Sequence, residues 1–335
     1  MKNLIIFIFA LTLTSCSVNA QQSDDAQKLT LTGNSLPTIR HVNDMKIAGD
    51  TLWFVYETED GFGQCFLRRA AIDTISNNLT VSSDIGKRSD GYYLSYMPYP
   101  FIAADGTVRV IGQDDSEIYS VENDTALVGT KQYLLGSTGI LPFPIAQYTK
   151  DVFMTSPHQY VFIGREPNGG PHYAMSANMI TAEIDTIRKI NISPDLQPWM
   201  PNMGELAYSA THQRLAFAYL LHPIIEIFGT DSHAIKSVRL GEDTFDLKTL
   251  EEADFKNLNT LHTVDITSTP DYIYALYWGY RYSDSKNCTP TFIKIDWNGN
   301  IISRRPVKVP LRRIAASDNA IIGWTGEDFV ILRLH

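Results

Sequence analysis

The feature that most constrains the fold is a short apolar–small pair that recurs six times along the chain. In each copy the pair opens a β-rich stretch, a turn follows, and a more hydrophobic strand rich in Val, Ile, Tyr, Phe and Trp comes next. The small residue is alanine in every unit except the fifth, where it is Thr267. The apolar residues of the six pairs are Ile47, Ile102, Ile145, Leu206, Ile266 and Ile314.

Repeats at intervals of roughly 40 to 60 residues, with about four strands each, are typical of propeller blades. The second unit reads as four strands, PFIAAD, TVRVIG, EIYSVE and TALVGTK, from the axis outwards. The sixth unit ends after three strands, and an open ring would expose an unpaired edge. We therefore predict an all-β, six-bladed β-propeller over residues 28–335, closed when the N-terminal strand QKLTLTG (27–33) completes the last blade.

The repeat resembles TolB-like and NHL-like six-bladed propellers. Their blades combine a proline-led I-A-x-D inner strand, an aromatic-rich second strand and a later D-x-x-G hairpin. PFIAADGTVRVI (100–111) and FIKIDWNGN (292–300) are similar to that pattern, and the likeness extends over almost all of the mature chain. Such proteins occur as lipoproteins of the Gram-negative envelope. The resemblance implies a fold and a location but no reaction.

The N-terminus predicts export. Residues 1–15 combine an early lysine, an apolar core and the ending LTS before Cys16, which is typical of a signal peptide. LTSC also resembles the bacterial lipobox, so we expect Cys16 to be lipidated and residues 16–27 to form its polar tether. The predicted location is the bacterial cell envelope at the outer membrane, with membrane contact through the lipid only. Cleavage after Ala20 would instead release a soluble secreted protein.

Composition and motifs exclude several functions. The formal net charge is −9 and no long basic run is present, which argues against nucleic acid as a partner. The sequence contains no C-x-x-C, H-E-x-x-H, G-x-S-x-G or P-loop motif. Cys65 and Cys288 belong to units that the sixth unit separates in the ring, so free thiols are expected.

Each residue that precedes an anchor is predicted to reach the central mouth of the ring. Ring order then makes Lys46 a neighbour of Arg313, and Glu205 a neighbour of Asp265. One interpretation is a solvated ring of charges in which Asp265 pairs with Arg313 and has no further role. The six residues are Lys46, Phe101, Pro144, Glu205, Asp265 and Arg313.

A second interpretation is a ligand-binding mouth. Aromatic rings on the approaching loops could stack on a sugar or grip a peptide, and an arginine could hold a carboxylate. This predicts a binding or scaffolding module, without a cofactor, for a peptide, protein or glycan. The candidate ligand-binding residues are Tyr99, Phe143, Trp199, Asn202, Glu205, His262, Asp265 and Arg313.

A third interpretation is a metal-dependent hydrolase or lactonase with calcium on the axis. Glu205, Asp265 and Asn202 could supply oxygen ligands. Lys46 and Arg313 share that ring and would repel the ion.

The stretch DWNGN (296–300) could be a calcium loop or a turn. An EF-hand loop that starts at Asp296 would need glycine at its sixth position and glutamate at its twelfth, which are Ile301 and Val307 in this sequence. The Asn298–Gly299 step instead favours a tight primed hairpin turn with positive φ angles.

Overall fold

The structure is a computed structural model that describes residues 26–59, 65–85, 87–88, 98–103, 105–112, 117–122, 126–133, 150–165, 172–178, 180–181, 183–192, 200–251, 255–286 and 288–334. Within these ranges the strands form six separate sheets of four or five strands. Neighbours along each chain segment pair antiparallel, as in a meander. The predicted all-β fold with six blades is confirmed.

The strands are numbered along the chain, and within each blade they follow one another from the axis outwards. Blade one contains β3 (Ile39–Ala48), β4 (Thr51–Thr58), β5 (Cys65–Asp73), β6 (Asn78–Val81) and β2 (Thr30–Gly33). Blade two contains β8 (Pro98–Ile102), β9 (Val108–Gly112), β10 (Glu117–Glu122), β11 (Ala126–Tyr133) and β7 (Lys87–Arg88). Blade three contains β12 (Lys150–Ser156), β13 (Gln159–Arg165), β14 (His172–Asn178) and β15 (Glu183–Ile190).

Blade four contains β16 (Gly204–Ser209), β17 (Arg214–Tyr219), β18 (Ile224–Gly229) and β19 (Ala234–Arg239). Blade five contains β20 (Leu261–Ser268), β21 (Tyr272–Tyr280), β22 (Thr291–Asp296) and β23 (Ile301–Pro306). Blade six contains β24 (Arg313–Ala316), β25 (Ala320–Trp324), β26 (Phe329–Arg333) and β1 (Gln27–Lys28).

The innermost strands surround a common axis. β3 contacts β8 and β24, β12 contacts β8 and β16, and β20 contacts β16 and β24, so contacts run around the whole ring. Apolar side chains fill the space between neighbouring blades. Phe101 of blade two, for example, packs edge-on against Tyr160 of blade three, with ring centroids 6.0 Å apart. Each blade therefore buries both of its faces against its neighbours.

The N-terminal segment closes the ring across two blades. β1 pairs antiparallel with β26 and completes blade six, as predicted. β2 then pairs parallel with β6 at the outer edge of blade one, whereas the sequence pattern predicts the whole segment 27–33 in blade six. Leu29 explains the change of partner, because its side chain is only 2% exposed and packs in the core that blades six and one share. Burying that one residue between the blades passes the following residues to the next sheet.

The third blade begins later than predicted. Its innermost described strand is β12, with Val152 and Met154 buried, whereas the prediction begins that strand at Ile145. The alternating pattern of DVFM satisfies an inner strand as well as PIA does, and the sequence alone does not separate the two. Pro144 and Ile145 lie outside the described residues.

Helical structure is confined to short turns. The described turns are one α-helical turn, α1 (Phe255–Leu258), and the 3₁₀ turns Met200–Asn202, Leu247–Glu251 and Tyr282–Asp284. No helix in the described part of the chain has the length and apolar character needed to span a membrane. Cys65 and Cys288 are unpaired thiols, as predicted, and Cys65 is buried.

The 296–300 stretch is a hairpin turn, which confirms the turn interpretation. The Asp296 carboxylate accepts hydrogen bonds from the backbone N–H groups of Asn298 (2.9 Å) and Asn300 (2.8 Å) and from the Asn300 amide (2.9 Å). Only Gly299 has a positive φ, 80°, so the loop is not the primed turn that was predicted. It corresponds to the longer hairpin loop in which a left-handed glycine follows the turn.

Candidate functional site at the central axis

Charged side chains from five of the six innermost strands meet at the axis. We name the axial cluster as Asp44 and Lys46 of β3, Asp151 of β12, Glu205 of β16, Asp265 of β20 and Arg313 of β24. Alternate residues of a strand point to the same face, and in a ring of strands one edge of every blade faces the axis. The cluster contains four carboxylic acids and two cations. Solvent still reaches it, because 27% of the Arg313 side chain and 21% of the Lys46 side chain are exposed.

Arg313 connects four blades. Its Nη1 donates to Oε1 of Glu205 in blade four (2.9 Å) and to the carbonyl of Val264 in blade five (3.1 Å). Its Nε donates to the carbonyl of Val42 in blade one at 3.4 Å. The predicted partner, Asp265, is farther away, with 3.7 Å between Nη1 and Oδ1. The guanidinium therefore acts as a brace across the axis.

Glu205 and Asp265 form a carboxyl pair beside this brace. Asp265 is 8% exposed, and its oxygens accept the backbone N–H groups of Ile266 (3.0 Å) and Ile314 (2.6 Å). Burial, followed by the charge and hydrogen bond of Glu205, raises the pKa of Asp265 well above its usual range, although Arg313 opposes the shift. Two carboxylates so close cannot both ionise easily, so the pair retains a proton above the ordinary carboxyl range.

Lys46 and Tyr99 complete the axial surroundings. The Lys46 ammonium lies 3.1 Å from Oδ1 of Asp44. Burial disfavours its charge, but Asp44, Asp151 and Asp265 outweigh burial and raise the pKa of Lys46. Burial, with Asp44 and Asp151, also raises the pKa of Tyr99, which blade two contributes. Lys46 is thus a cation and Tyr99 a neutral phenol at neutral pH.

Asp151 belongs to the site, and the reasoning from sequence missed it. Its Oδ2 accepts the backbone N–H of Leu206 on the next innermost strand at 2.8 Å. Asp265 does the same for Ile314 one blade pair later. An aspartate followed by an apolar residue occurs in both strands and again at Asp44, and this repeated dipeptide was the signal that could have located it.

Of the predicted ligand-binding residues, the structure brings Tyr99, Glu205, Asp265 and Arg313 together. Asn202 is 1% exposed, and its Oδ1 accepts the backbone N–H of Ile192 at 3.0 Å, so it holds the loop between blades three and four. Two other predicted residues, Phe143 and Trp199, lie outside the described residues.

Phe101, which was predicted to reach the mouth, is buried between blades two and three instead. Its strand is turned so that Tyr99, two residues earlier, lies near the charges.

His262 lies off the axis, between blades four and five. Its side chain is 2% exposed, and its Nδ1 is 3.1 Å from the hydroxyl of Tyr277. Burial lowers the pKa of His262 to about 4, which Asp243 only partly offsets. The imidazole is therefore neutral at physiological pH.

The axial residues do not fit a calcium ion. Glu205 faces the Arg313 guanidinium, both oxygens of Asp265 accept backbone N–H groups, and Oδ1 of Asn202 is engaged elsewhere. Calcium takes six to eight oxygen ligands at about 2.3–2.6 Å. Across the described ranges, no three or more His, Cys, Asp and Glu side chains are grouped so that they could hold a metal ion.

The comparisons with known proteins give a fold and no family. No protein-family model matches the chain, and no curated protein matches it by sequence. A solved structure of a DUF4221 family member from Bacteroides vulgatus is similar, with a TM-score of 0.57, 12% identity, and 92% of this chain and 94% of that chain covered.

A protein of unknown function from Bacteroides thetaiotaomicron is similar with a TM-score of 0.54, 12% identity, and coverage of 92% of this chain and 75% of that one. A regucalcin from Agrobacterium tumefaciens, described as a calcium-binding protein, has a TM-score of 0.50 and 11% identity, with 91% and 97% covered. At these identities the likeness concerns the fold alone. Together with the six sheets, it shows that the chain is a six-bladed β-propeller.

Proposed function

We propose that this propeller is a binding or scaffolding module, displayed from the bacterial cell envelope on a lipidated Cys16, whose ligand contacts the mouth of the central channel. The ligand classes we consider are a peptide, a protein and a glycan. The LTSC motif and the polar segment after it support the anchor. A TolB-like envelope lipoprotein would have this combination of anchor and ring.

The observation that carries the proposal is the internal pairing of the axial cluster. Arg313 and Lys46 each lie beside a carboxylate, at 2.9 and 3.1 Å, while part of every one of these side chains remains exposed. Such a surface offers charges of both signs and the Tyr99 ring to a polar ligand. It offers no unshielded group for covalent chemistry.

The competing function is a hydrolase or lactonase that uses an axial calcium ion. The oxygen atoms it would need are engaged by Arg313 and by backbone N–H groups. Calcium titration tests this function directly, since a cation in the axial cluster would raise the melting temperature and the rise would disappear in Glu205→Gln. No calcium-dependent rise is expected.

The binding function is tested by capture from envelope extract and on a glycan array, with the purified mature chain as bait. Lys46→Gln and Glu205→Gln change charge at the mouth with little change in size. Lys189→Gln alters an exposed lysine on the outer strand β15 and is the matched control. We expect both mouth variants to lose the ligand and the control to keep it. Equal capture by all three variants would place the binding surface elsewhere.

The location is tested separately. Expression of the full chain with a labelled fatty acid should label the wild type and leave Cys16→Ser unlabelled and released from the membrane fraction. Wild-type protein that is unlabelled and soluble would favour the secreted alternative.

A further inference from the structure

Two buried histidines meet at the junction of blades four and five. His222 lies in the connection between β17 and β18 and is 4% exposed, and His262 lies on β20 and is 2% exposed. The backbone N–H of His262 donates to the carbonyl of Leu220 at 2.7 Å, so the two segments run side by side. Neither residue belongs to the axial cluster.

The segment 241–243 lies against both rings. Asp243 contacts His222, with 2.9 Å between its Oδ2 and Nδ1 of the histidine. The Tyr277 hydroxyl, which contacts Nδ1 of His262, lies so close to Gly241 that a Cβ atom there would be 2.3 Å from it. The charge of His222 and that of Asp243 both act on His262. The four polar side chains thus form one buried group.

In both rings one nitrogen is held and the other is not. Nδ1 has a polar partner in each case, whereas Nε2 of His222 and Nε2 of His262 are buried with no hydrogen-bond partner among the described residues. A buried polar atom without a partner costs about 1–3 kcal/mol. Two of them in one group indicate a function for those atoms, because native cores rarely leave such atoms unsatisfied.

The chemistry of the group favours a metal ion. Histidine ligands of metals usually donate the other ring N–H to a carboxylate or another oxygen, which fixes the ring and leaves Nε2 with a lone pair. Asp243 takes that position behind His222, and Tyr277 takes it behind His262. Burial also favours neutral imidazole, the form that binds metals. Imidazole nitrogen suits zinc, copper and nickel better than calcium or magnesium.

We propose that His222 and His262 bind a divalent transition-metal ion through their Nε2 atoms, with Asp243 and Tyr277 as the supporting residues. Asp243 contacts Nδ1, on the other side of the His222 ring, and is not itself a ligand. The protein then supplies two nitrogen ligands, and water or a bound molecule supplies the others. The site is separate from the axis, so it stands or falls independently of the proposed mouth.

The test is titration of the metal-free mature chain with Zn²⁺ by calorimetry and with Cu²⁺ by electron paramagnetic resonance. We expect one ion per chain and a copper spectrum with coupling to imidazole nitrogen. His222→Gln and His262→Gln should each weaken binding at least tenfold. His233→Gln, at an exposed turn between β18 and β19, is the matched control and should change nothing.

Asp243→Asn separates a metal site from a structural role, because it keeps the size of the side chain. Loss of a supporting residue typically weakens metal binding by about 10–100-fold. If a histidine variant fails to fold, Asp243→Asn and Tyr277→Phe still decide the matter. Absence of a bound ion in the wild type, or binding that survives both histidine variants, would overturn the proposal.

Discussion

The carboxyl pair on the axis predicts how stability depends on pH. Asp265 is buried against Glu205, and its pKa is raised well above the usual value in the folded protein. The folded state therefore holds a proton at pH values where the unfolded chain, with an Asp pKa of about 3.9, has released it. This contribution to stability is complete below the unfolded pKa and is lost as the pH rises through the folded pKa.

Replacing Asp265 with asparagine should remove this dependence. The amide is nearly the same size, its oxygen can accept the Ile314 N–H as Oδ2 does now, and its NH₂ can donate to Glu205. One proton released on raising the pH lowers the free energy of unfolding by at most about 1.4 kcal/mol per pH unit. Over two pH units within the titration of the pair, the wild type can thus lose up to roughly 2.7 kcal/mol relative to Asp265→Asn.

The assay is urea unfolding of the wild type and Asp265→Asn at several pH values from 5 to 9. Asp185→Asn, on the exposed face of β15, controls for the general effect of removing an acid. We expect the wild-type curve to fall more steeply with pH than the Asp265→Asn curve, and the control to follow the wild type. Parallel curves for wild type and Asp265→Asn would show that the pair holds no proton.

Three further outcomes test the fold. Leu29→Ala should cost about 2–5 kcal/mol in urea unfolding, because it opens a cavity between blades six and one, whereas Leu31→Ala, at 43% exposure, should change little. Asp296→Ala removes the hydrogen bonds that close its turn and should lower stability by roughly 1–2 kcal/mol, with no change on adding calcium. Alkylation without reductant should modify Cys288, which is half-buried, before Cys65, which is buried. Resistance of both thiols would contradict their unpaired state.

The sequence predicted the ring because inner strands obey a strong local rule. An apolar residue followed by a small one recurs wherever strands crowd around the axis, and five of the six predicted inner strands coincide with observed ones. Blade three departed because two consecutive stretches satisfied the rule. Choosing between them requires knowing which strand pairs with β13, and strand pairing is a long-range property.

The site was predicted less fully, for reasons of side-chain reach. Ring order placed Glu205 beside Asp265, and the structure agrees. It did not show that Arg313 passes over its nearest acid to bond Glu205, two blades away. Arginine has a long side chain with donors in a fixed plane, so its partner depends on angles that a linear sequence does not contain.

The same brace explains why the axis favours a ligand over a bound cation. An ion that takes the Glu205 and Asp265 oxygens must displace Arg313 and leave its contacts with three other blades unmade. Removing one partner of a buried ion pair costs about 3–5 kcal/mol, and Arg313, which is partly exposed, belongs at the lower end. Each 1.4 kcal/mol is a factor of about ten in affinity, so a calcium site on this axis would start roughly two orders of magnitude weaker than one without the arginine. A polar ligand that rests on the brace requires no such displacement.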